Sequence, residues 1–483
     1  MRPGAKVRHH QFGPGEVIRV LGGQASVLFF GEELMVPATE LCLEEAPEVG
    51  LGEPSDGGRV LFRRCQESLN LGVVPPEPDQ LLALTIGGGA LQKQTREWLT
   101  EAHDQGLCKV VFGDYGQGKS HLLKVIRAAA IREGWVVSFV EFDPKQADPA
   151  KPHLVYRAIT GGLCFPTRED GSRSRDFFDL VGEARKGWDT VSMGPQFRMS
   201  PWFGPTLRAL RFHSHSREDP DYVQAVEWLA GQPVGFAVVR GLCRAAGRSV
   251  QPPPLMPKTL ETADIYVSHL VTIHEMCRAL GYKGLLVILD EAEHIRGFNV
   301  NRRERANNLF DILARCAHLP RRTATGPFGN SHGVDVGRAW AQGPHFGLVV
   351  ALTPGDMHVD DIDELKRSCV FVHDDRDVVR LRPPSVRDYM AWCQNYLSEY
   401  VTHYPGSRVV AGSPDVPRVL AGVLAEEYAR QAEPERNIRL WGKMAAFCCA
   451  LDMNESVESL DQMTETLRRV ARSAAGEIMP WEL

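Results

Sequence analysis

The sequence predicts an α/β chain built on a mostly parallel sheet flanked by helices, and three observations carry that expectation. Short apolar runs that read as buried strands alternate with helical patterns between residues 109 and 352, as a sheet covered on both faces requires. Two of these runs end in polar, chemically specific stretches: Val110-Val111-Phe112 opens into a glycine-rich loop, and Leu285 to Leu289 closes on Asp290-Glu291. With 483 residues, 43% hydrophobic and 24% charged, the chain is long enough for roughly two to four globular domains.

In chain order, residues 1–46 read as a small β-barrel. Phe12-Gly13-Pro14-Gly15 and Gly22-Gly23 are turn signals that separate Val17 to Val20 from Ser26 to Phe30, short strands between tight turns. The pattern of Val7, His9, Phe12, Gly13, Gly15, Val17, Val27 and Phe29 resembles the tudor-like barrels of UvrD-type helicases and CarD-type proteins. That resemblance implies a docking module, although most of these positions are also explained by folding alone. Acids (Glu16, Glu32, Glu33, Glu40, Glu44, Glu45) outnumber bases (Arg2, Lys6, Arg8, Arg19) here, which favours a protein partner over DNA. Residues 47–58 are rich in glycine, proline and acid and read as a linker.

Residues 59–382 read as the core domain. A helical stretch at Arg59 to Asn70 and an amphipathic one at Ala90 to His103 lead into Lys109 to Val125, which reads strand, glycine loop, helix. Gly113-Asp114-Tyr115-Gly116-Gln117-Gly118-Lys119-Ser120 has the G-x-x-x-x-G-K-S spacing of a phosphate-binding loop. Glycines turn successive N–H groups inward as an anion nest at a helix N-terminus. Lys119 then reaches the β- and γ-phosphates and Ser120 ligates Mg2+. By fold analogy, the segment upstream of the loop covers the adenine.

Trp135 to Asp143 reads as a buried strand and Lys151 to Arg157 as the start of a helix. Periodicity fades from Thr167 to Pro201, so about 167–258 is expected to be an insertion, helical at Asp221 to Leu229 and around Val234 to Ala246. Thr259 to Leu280 is a long amphipathic helix feeding the second acidic strand. Asp290 is expected to hold Mg2+ through water, and Glu291 to polarise the attacking water. Paired acids favour hydrolysis over transfer to a substrate hydroxyl.

The strand Phe346 to Leu352 ends in Thr353, where sensor residues of AAA+ ATPases contact the γ-phosphate. Between these strands, Arg302, Arg303, Arg305, Arg315, Arg321 and Arg322 read as a solvated helix face, as arginines delivered to a neighbouring subunit's ATP, or as a patch for DNA phosphates. Arg367, before an expected strand at Cys369 to Val372, occupies the usual arginine-finger position. Residues 383–483 read as a helical lid, opened by a Ser385 to Asp388 capping box. Arg436 or Arg439 is its candidate second sensor.

A net charge of -6 gives no global basic field for nucleic acid. No apolar run approaches the roughly 18 residues of a membrane span. The N-terminal MRPGAKVRHH lacks the apolar core of a signal peptide. Eleven cysteines without a C-x-x-C pair point to a reducing cytoplasm and away from structural zinc.

Taken together, Gly113 to His121 (G-D-Y-G-x-G-K-S-H), Val136 to Asp143, Lys151 to Ala158 (K-P-H-L-V-Y-R-A) and Leu289 to Glu293 (L-D-E-A-E) resemble the BREX-type ATP-binding proteins of bacterial anti-phage systems, a P-loop NTPase superfamily that is AAA+/STAND-like. The resemblance covers roughly Arg59 to Met453. It implies a cytoplasmic ATPase with ATP and Mg2+ as cofactors and His121 beside the phosphate loop. It also implies partners such as a helicase or nuclease-like component, and turnover that is slow unless a partner or DNA stimulates it. A homo-oligomer and direct DNA contact are open. Two further readings stand beside it: a non-hydrolysing, ATP-dependent scaffold, and a DNA-binding initiator or loader.

Overall fold

The computed structural model describes residues 6–9, 13–21, 24–29, 32–37, 41–43, 56–71, 74, 81, 85–86, 88–168, 171, 173–186, 202–212, 217–233, 236–247, 253, 263–318, 330–331, 334–335, 346–355, 357–404, 415–432, 436–453 and 459–474. The chain divides into two compact units, one of Met1–Arg63 with Glu399–Gly406 and one of Arg64–Ser398 with Ser407–Leu483.

In the first unit, β1 (Lys6–His9), β2 (Gly13–Leu21), β3 (Gln24–Phe29), β4 (Glu32–Pro37) and β5 (Leu41–Leu43) form an antiparallel sheet in the order β4-β3-β2-β1-β5. A register shift between Val17 and Arg19 marks a bulge in β2, which sharpens the local twist. Val27 is fully buried. The first turns of α1 (Asp56–Leu71) belong to this unit, where Phe62 packs against the rings of Tyr400 and His403.

The second unit is an α/β domain of the P-loop NTPase type. It begins with α2 (Gly88–Gln105), β6 (Leu107–Phe112), α3 (Lys119–Arg132), β7 (Val136–Glu141), α4 (Pro152–Gly161) and β8 (Leu163–Cys164). The helices α5 (Phe177–Lys186), α6 (Phe203–Leu210), α7 (Pro220–Leu229), α8 (Phe236–Ala245) and α9 (Ala263–Ala279) follow. Next come β9 (Leu285–Asp290), α10 (Val300–His318), the short pair β10 (Asn330–Ser331) and β11 (Val334–Asp335), β12 (Gly347–Leu352), α11 (Ile362–Ser368) and β13 (Val378–Arg380).

Six strands pair in the order β13-β6-β12-β9-β7-β8, all parallel except the edge pair β7 and β8. β6, β9 and β12 are buried at every position. The reason is visible in the alternation of side chains. Leu285, Val287 and Leu289 point into one core, while Leu286 and Ile288 point into the other, where Leu122, Leu123 and Ile126 of α3 meet them. Parallel pairing places the carboxyl ends of β6 and β9 along one edge with β12 between them, where open α/β sheets bind ligands.

Two expectations shift. The stretch read as aperiodic holds α5, whose Phe177, Leu180, Val181 and Ala184 are buried at helical spacing. The dense Arg, Asp, Ser and Gly around it hid that stripe. The strand expected at Cys369 to Val372 is instead a buried turn, with Val372 N–H donating to Cys369 O, and the sheet takes Val378–Arg380 as its edge. Three arginines of α10 have partners within the chain. Arg302 pairs with the buried Asp148 at 3.1 Å, Arg303 donates to the carbonyls of Arg296 and Phe298, and Arg315 pairs with Asp311 at 2.8 Å. Arg321 and Arg322 lie outside the described residues.

The C-terminal helices are α12 (Val386–His403), α13 (Val416–Arg430), α14 (Ile438–Asp452) and α15 (Leu460–Arg472). Ser385 and Asp388 form the reciprocal cap: the Asp388 N–H donates to Ser385 Oγ, and that hydroxyl donates to the Asp388 carboxylate.

Candidate nucleotide site

A cleft of about 540 Å³ opens at the carboxyl edge of the sheet, within the size range of small-molecule sites. Its walls combine apolar side chains, Ile86, Leu91, Leu381, Trp392 and Ile438 among them, with polar and charged ones.

The polar part of the lining begins with the loop after β6. Gly116 and Gly118 adopt φ of 81° and 92°, left-handed values that only glycine reaches without steric cost. Gly118 ends the loop and Lys119 begins α3, so the helix N-terminus faces the cleft. Lys119 Nζ donates to the carbonyls of Gly113 (2.6 Å) and Asp114 (3.2 Å). Burial lowers its pKa, opposed in order by the charges of Glu293, Asp290, Asp114 and Glu291.

At the end of the loop, the Ser120 hydroxyl stands beside the Asp290 carboxylate and favours its charged form. Asp290 is 3% exposed. Burial raises its pKa, and the bonds from Ser120 and from the Glu291 N–H oppose that shift. Glu291 follows with φ 58° and ψ 33°, the sole non-glycine with positive φ among the described residues. Such a conformation costs a side-chain-bearing residue roughly 1–2 kcal/mol. A 3-10 helix, Ala292–Gly297, continues from it, and Asp290, Glu291 and Glu293 all line the cleft beside Lys119.

The cleft's third wall comes from α14. Asn437 caps that helix, accepting from the N–H of Arg439 (3.0 Å) and Leu440 (3.4 Å). Arg439 N–H also lies 3.3 Å from Gly116 O. The Asn437 amide stands within 2.3 to 2.6 Å of where a Cβ on Gly116 would be, so glycine is required there by packing as well as by φ. The Arg439 guanidinium lies 4.8 Å over the Tyr115 ring and donates to its hydroxyl.

His121 lines the cleft, its Nε2 3.0 Å from Thr85 Oγ1. Thr85 donates its single hydroxyl hydrogen to Leu81 O at 2.6 Å, so His121 must be the donor in that contact, which makes it the Nε2–H tautomer. Burial pushes its pKa down to about 4, with the charge of Lys124 adding to the shift, so the ring is neutral at pH 7.

The remaining sequence candidates lie outside the cleft wall. Thr353, at the end of β12, donates its hydroxyl to Glu293 Oε1 and is not a lining residue. Arg367 is exposed on α11. Arg436 donates to Gln431 O and Ala429 O and covers the Tyr428 ring. Of the two arginines at the start of α14, Arg439 is the one that reaches the loop.

Sequence reasoning had no signal for Asn437 or Thr85, because each is joined to its partner only by folding. Glu293 did carry one: an acid two residues past an Asp-Glu pair.

The family model described as BREX system ATP-binding protein BrxC/D matches residues 63–179 and 192–324, just over half of the chain. No curated protein matches it.

Proposed function

The chain belongs to the BrxC/D family of BREX system ATP-binding proteins, and from that premise we propose that it is an AAA+/STAND-like ATPase that hydrolyses ATP to ADP and phosphate. The observation that carries the reading is the meeting of Ser120 and Asp290 beside Lys119. Strand ends separated in sequence converge there on one point, with an anion nest on one side and carboxylates on the other. The apolar side chains of the cleft wall take the base.

Mg2+ fits this arrangement, because the Ser120 hydroxyl and the Asp290 carboxylate are adjacent hard oxygen donors. Mg2+ is ordinarily held by one or two such groups plus phosphate and water oxygens. When bound, it neutralises charge on the β- and γ-phosphate oxygens. The loop from Gly113 to Ser120 binds the phosphates through main-chain N–H groups, and Lys119 moves from its carbonyl partners onto the β- and γ-oxygens. Glu291 accepts a hydrogen bond from the attacking water and so aims its lone pair at phosphorus. Arg439 serves as the lid's sensor of the nucleotide. Exposed Arg367 is placed to act on a neighbouring copy in a homo-oligomer.

In this reading the chain divides into a tudor-like barrel (1–46), a linker (47–58), the ATPase core (59–382) with its insertion near 167–258, and the lid (383–483). The barrel docks a protein partner, a helicase or nuclease-like component of the same cytoplasmic defence system. Nucleotide state then controls assembly or action on DNA, and turnover is slow until the partner or DNA is present.

The test is nucleotide binding and phosphate release by the full chain. Lys119→Ala is expected to lose nucleotide affinity by about 100-fold or more, in line with the loss of several charge-assisted contacts. Glu291→Gln is expected to hold ATP while turnover falls by about 100-fold. Wild-type turnover in Glu291→Gln overturns the catalytic assignment. ATP binding with no phosphate release under any addition turns the reading toward a scaffold.

A further inference from the structure

Glu293 occupies a position that neither the loop nor the Asp-Glu pair accounts for. It lies on the 3-10 helix Ala292–Gly297, lines the cleft, and heads the charges that act on Lys119. Its Oε1 accepts the Thr353 hydroxyl. One turn on, Arg296 donates to Thr353 O at 2.8 Å and Pro354 O at 2.7 Å. Thr353 is thus held at its carbonyl by one residue of the 3-10 helix while its hydroxyl holds another.

The second carboxylate oxygen, Oε2, is buried and has no hydrogen-bond partner among the described residues. A carboxylate only accepts, so the group that completes it must bring a donor or a positive charge. The nearest cation, Lys119, is bonded to the carbonyls of Gly113 and Asp114 and in the ATPase reading turns to the phosphates. A phosphate oxygen supplies neither donor nor positive charge, and a water at the γ-phosphate supplies the donor. Thr353 itself does not line the cleft, so what the end of β12 presents to the nucleotide is the Glu293 carboxylate.

We propose that Glu293 is a further catalytic residue of the ATP site, its Oε1 fixed by Thr353 and its Oε2 accepting one hydrogen of the attacking water while Glu291 accepts the other. This deepens the ATPase reading and rests on it. In the step, the water oxygen bonds to the γ-phosphorus as the bond from phosphorus to the β,γ-bridging oxygen breaks. ADP leaves with that oxygen, and the water's proton passes through a carboxylate to the released phosphate.

The discriminating variant is Glu293→Gln. Where the Thr353 hydroxyl goes on donating as it does to Oε1, the glutamine oxygen keeps that bond and the amide NH2 takes the place of Oε2. Shape and the bond to Thr353 survive while the polarity facing the nucleotide is reversed. The expected result is turnover lower by about 100-fold, with an unchanged melting temperature. Affinity for ATPγS relative to ADP should rise by about tenfold, as a donor replaces an acceptor beside the γ-phosphate.

Thr353→Val, which leaves the carboxylate unanchored, should lose less, about tenfold. Glu293→Gln with wild-type turnover and a wild-type affinity ratio overturns the proposal. So does a loss confined to Glu293→Ala, which would make the residue a structural tie. The affinity ratio needs no turnover. A wild type that binds but never hydrolyses ATP therefore removes the hydrolysis reading, and an unchanged ratio in Glu293→Gln removes this one. A wild type with no nucleotide affinity removes both.

Discussion

The two strands whose ends meet at the site leave the sheet in opposite ways. β6 exits through glycines, where left-handed backbone at Gly116 and Gly118 costs no steric energy. β9 exits through Glu291, a residue with a side chain held at φ 58°. The difference follows from which part of the residue faces the ligand. In the ATPase reading proposed above, the main-chain N–H groups of the loop are the binding groups, and a Cβ would only obstruct them. That reading needs a carboxylate at β9, and strain of roughly 1–2 kcal/mol turns it toward the cleft. The surrounding contacts offset that strain: the Glu291 N–H donates to Asp290 Oδ1 at 2.9 Å, and the next turn is tied to β12 through Glu293 and Arg296.

Changing the side chain at each exit breaks or sharpens this contrast. Gly116→Ala carries the largest effect, since it adds a strained φ and drives a methyl into the Asn437 amide. Nucleotide affinity should fall by about 100-fold, and stability by about 2–4 kcal/mol if the cap of α14 is also displaced, read by calorimetry and denaturant titration. Intact affinity would mean that the loop does not need the contact with α14.

At β9 the sign inverts. Glu291→Gly should stabilise the fold by about 1 kcal/mol in urea titration by relieving the left-handed strain, while turnover falls as it does in Glu291→Gln. A destabilised glycine variant would show that the Glu291 side chain, not its backbone, holds that turn.

A smaller and independent effect tests the core behind the sheet. His269 is fully buried among the rings of Tyr156, Trp202, Phe203 and Tyr266, and neither ring nitrogen has a hydrogen-bond partner among the described residues. Burial pushes its pKa from 6.5 down to about 3. Between those values the unfolded chain binds a proton that the folded chain does not. Stability should therefore decline as pH falls from 6.5 toward 3, by up to about 1.4 kcal/mol per pH unit from this group. Above 6.5 the contribution is flat. His269→Phe should flatten the slope in urea titrations across that window; an unchanged slope would place the titrating group elsewhere.

Much of the site was legible because its parts are local. Gly113 to Ser120 and Leu285 to Glu291 are contiguous, and their spacing encodes strand, turn and helix with little help from elsewhere. The helices at Pro220–Leu229 and Phe236–Ala245 were legible for the same reason. What misled was periodicity masked by polar neighbours at α5, and an apolar run at Cys369 to Val372 that buries itself in a turn. The acceptors of the α10 arginines, Asp148 and the carbonyls of Arg296 and Phe298, are not apparent from linear spacing.

The sequence by itself determined the chemistry available: a phosphate-binding loop, a lysine, a serine, and acids at the end of a buried strand. Spacing alone carries these, since each motif is a contiguous run of eight residues or fewer and its geometry is dictated by local sterics. Only the tertiary structure decided which distant groups join them. It brought Asn437 and Arg439 onto the loop and left Arg436 on its own helix neighbours. It set Glu293, rather than Thr353, at the cleft wall. Such choices depend on how strands register and helices pack across hundreds of residues, and no local pattern encodes that sum of contacts.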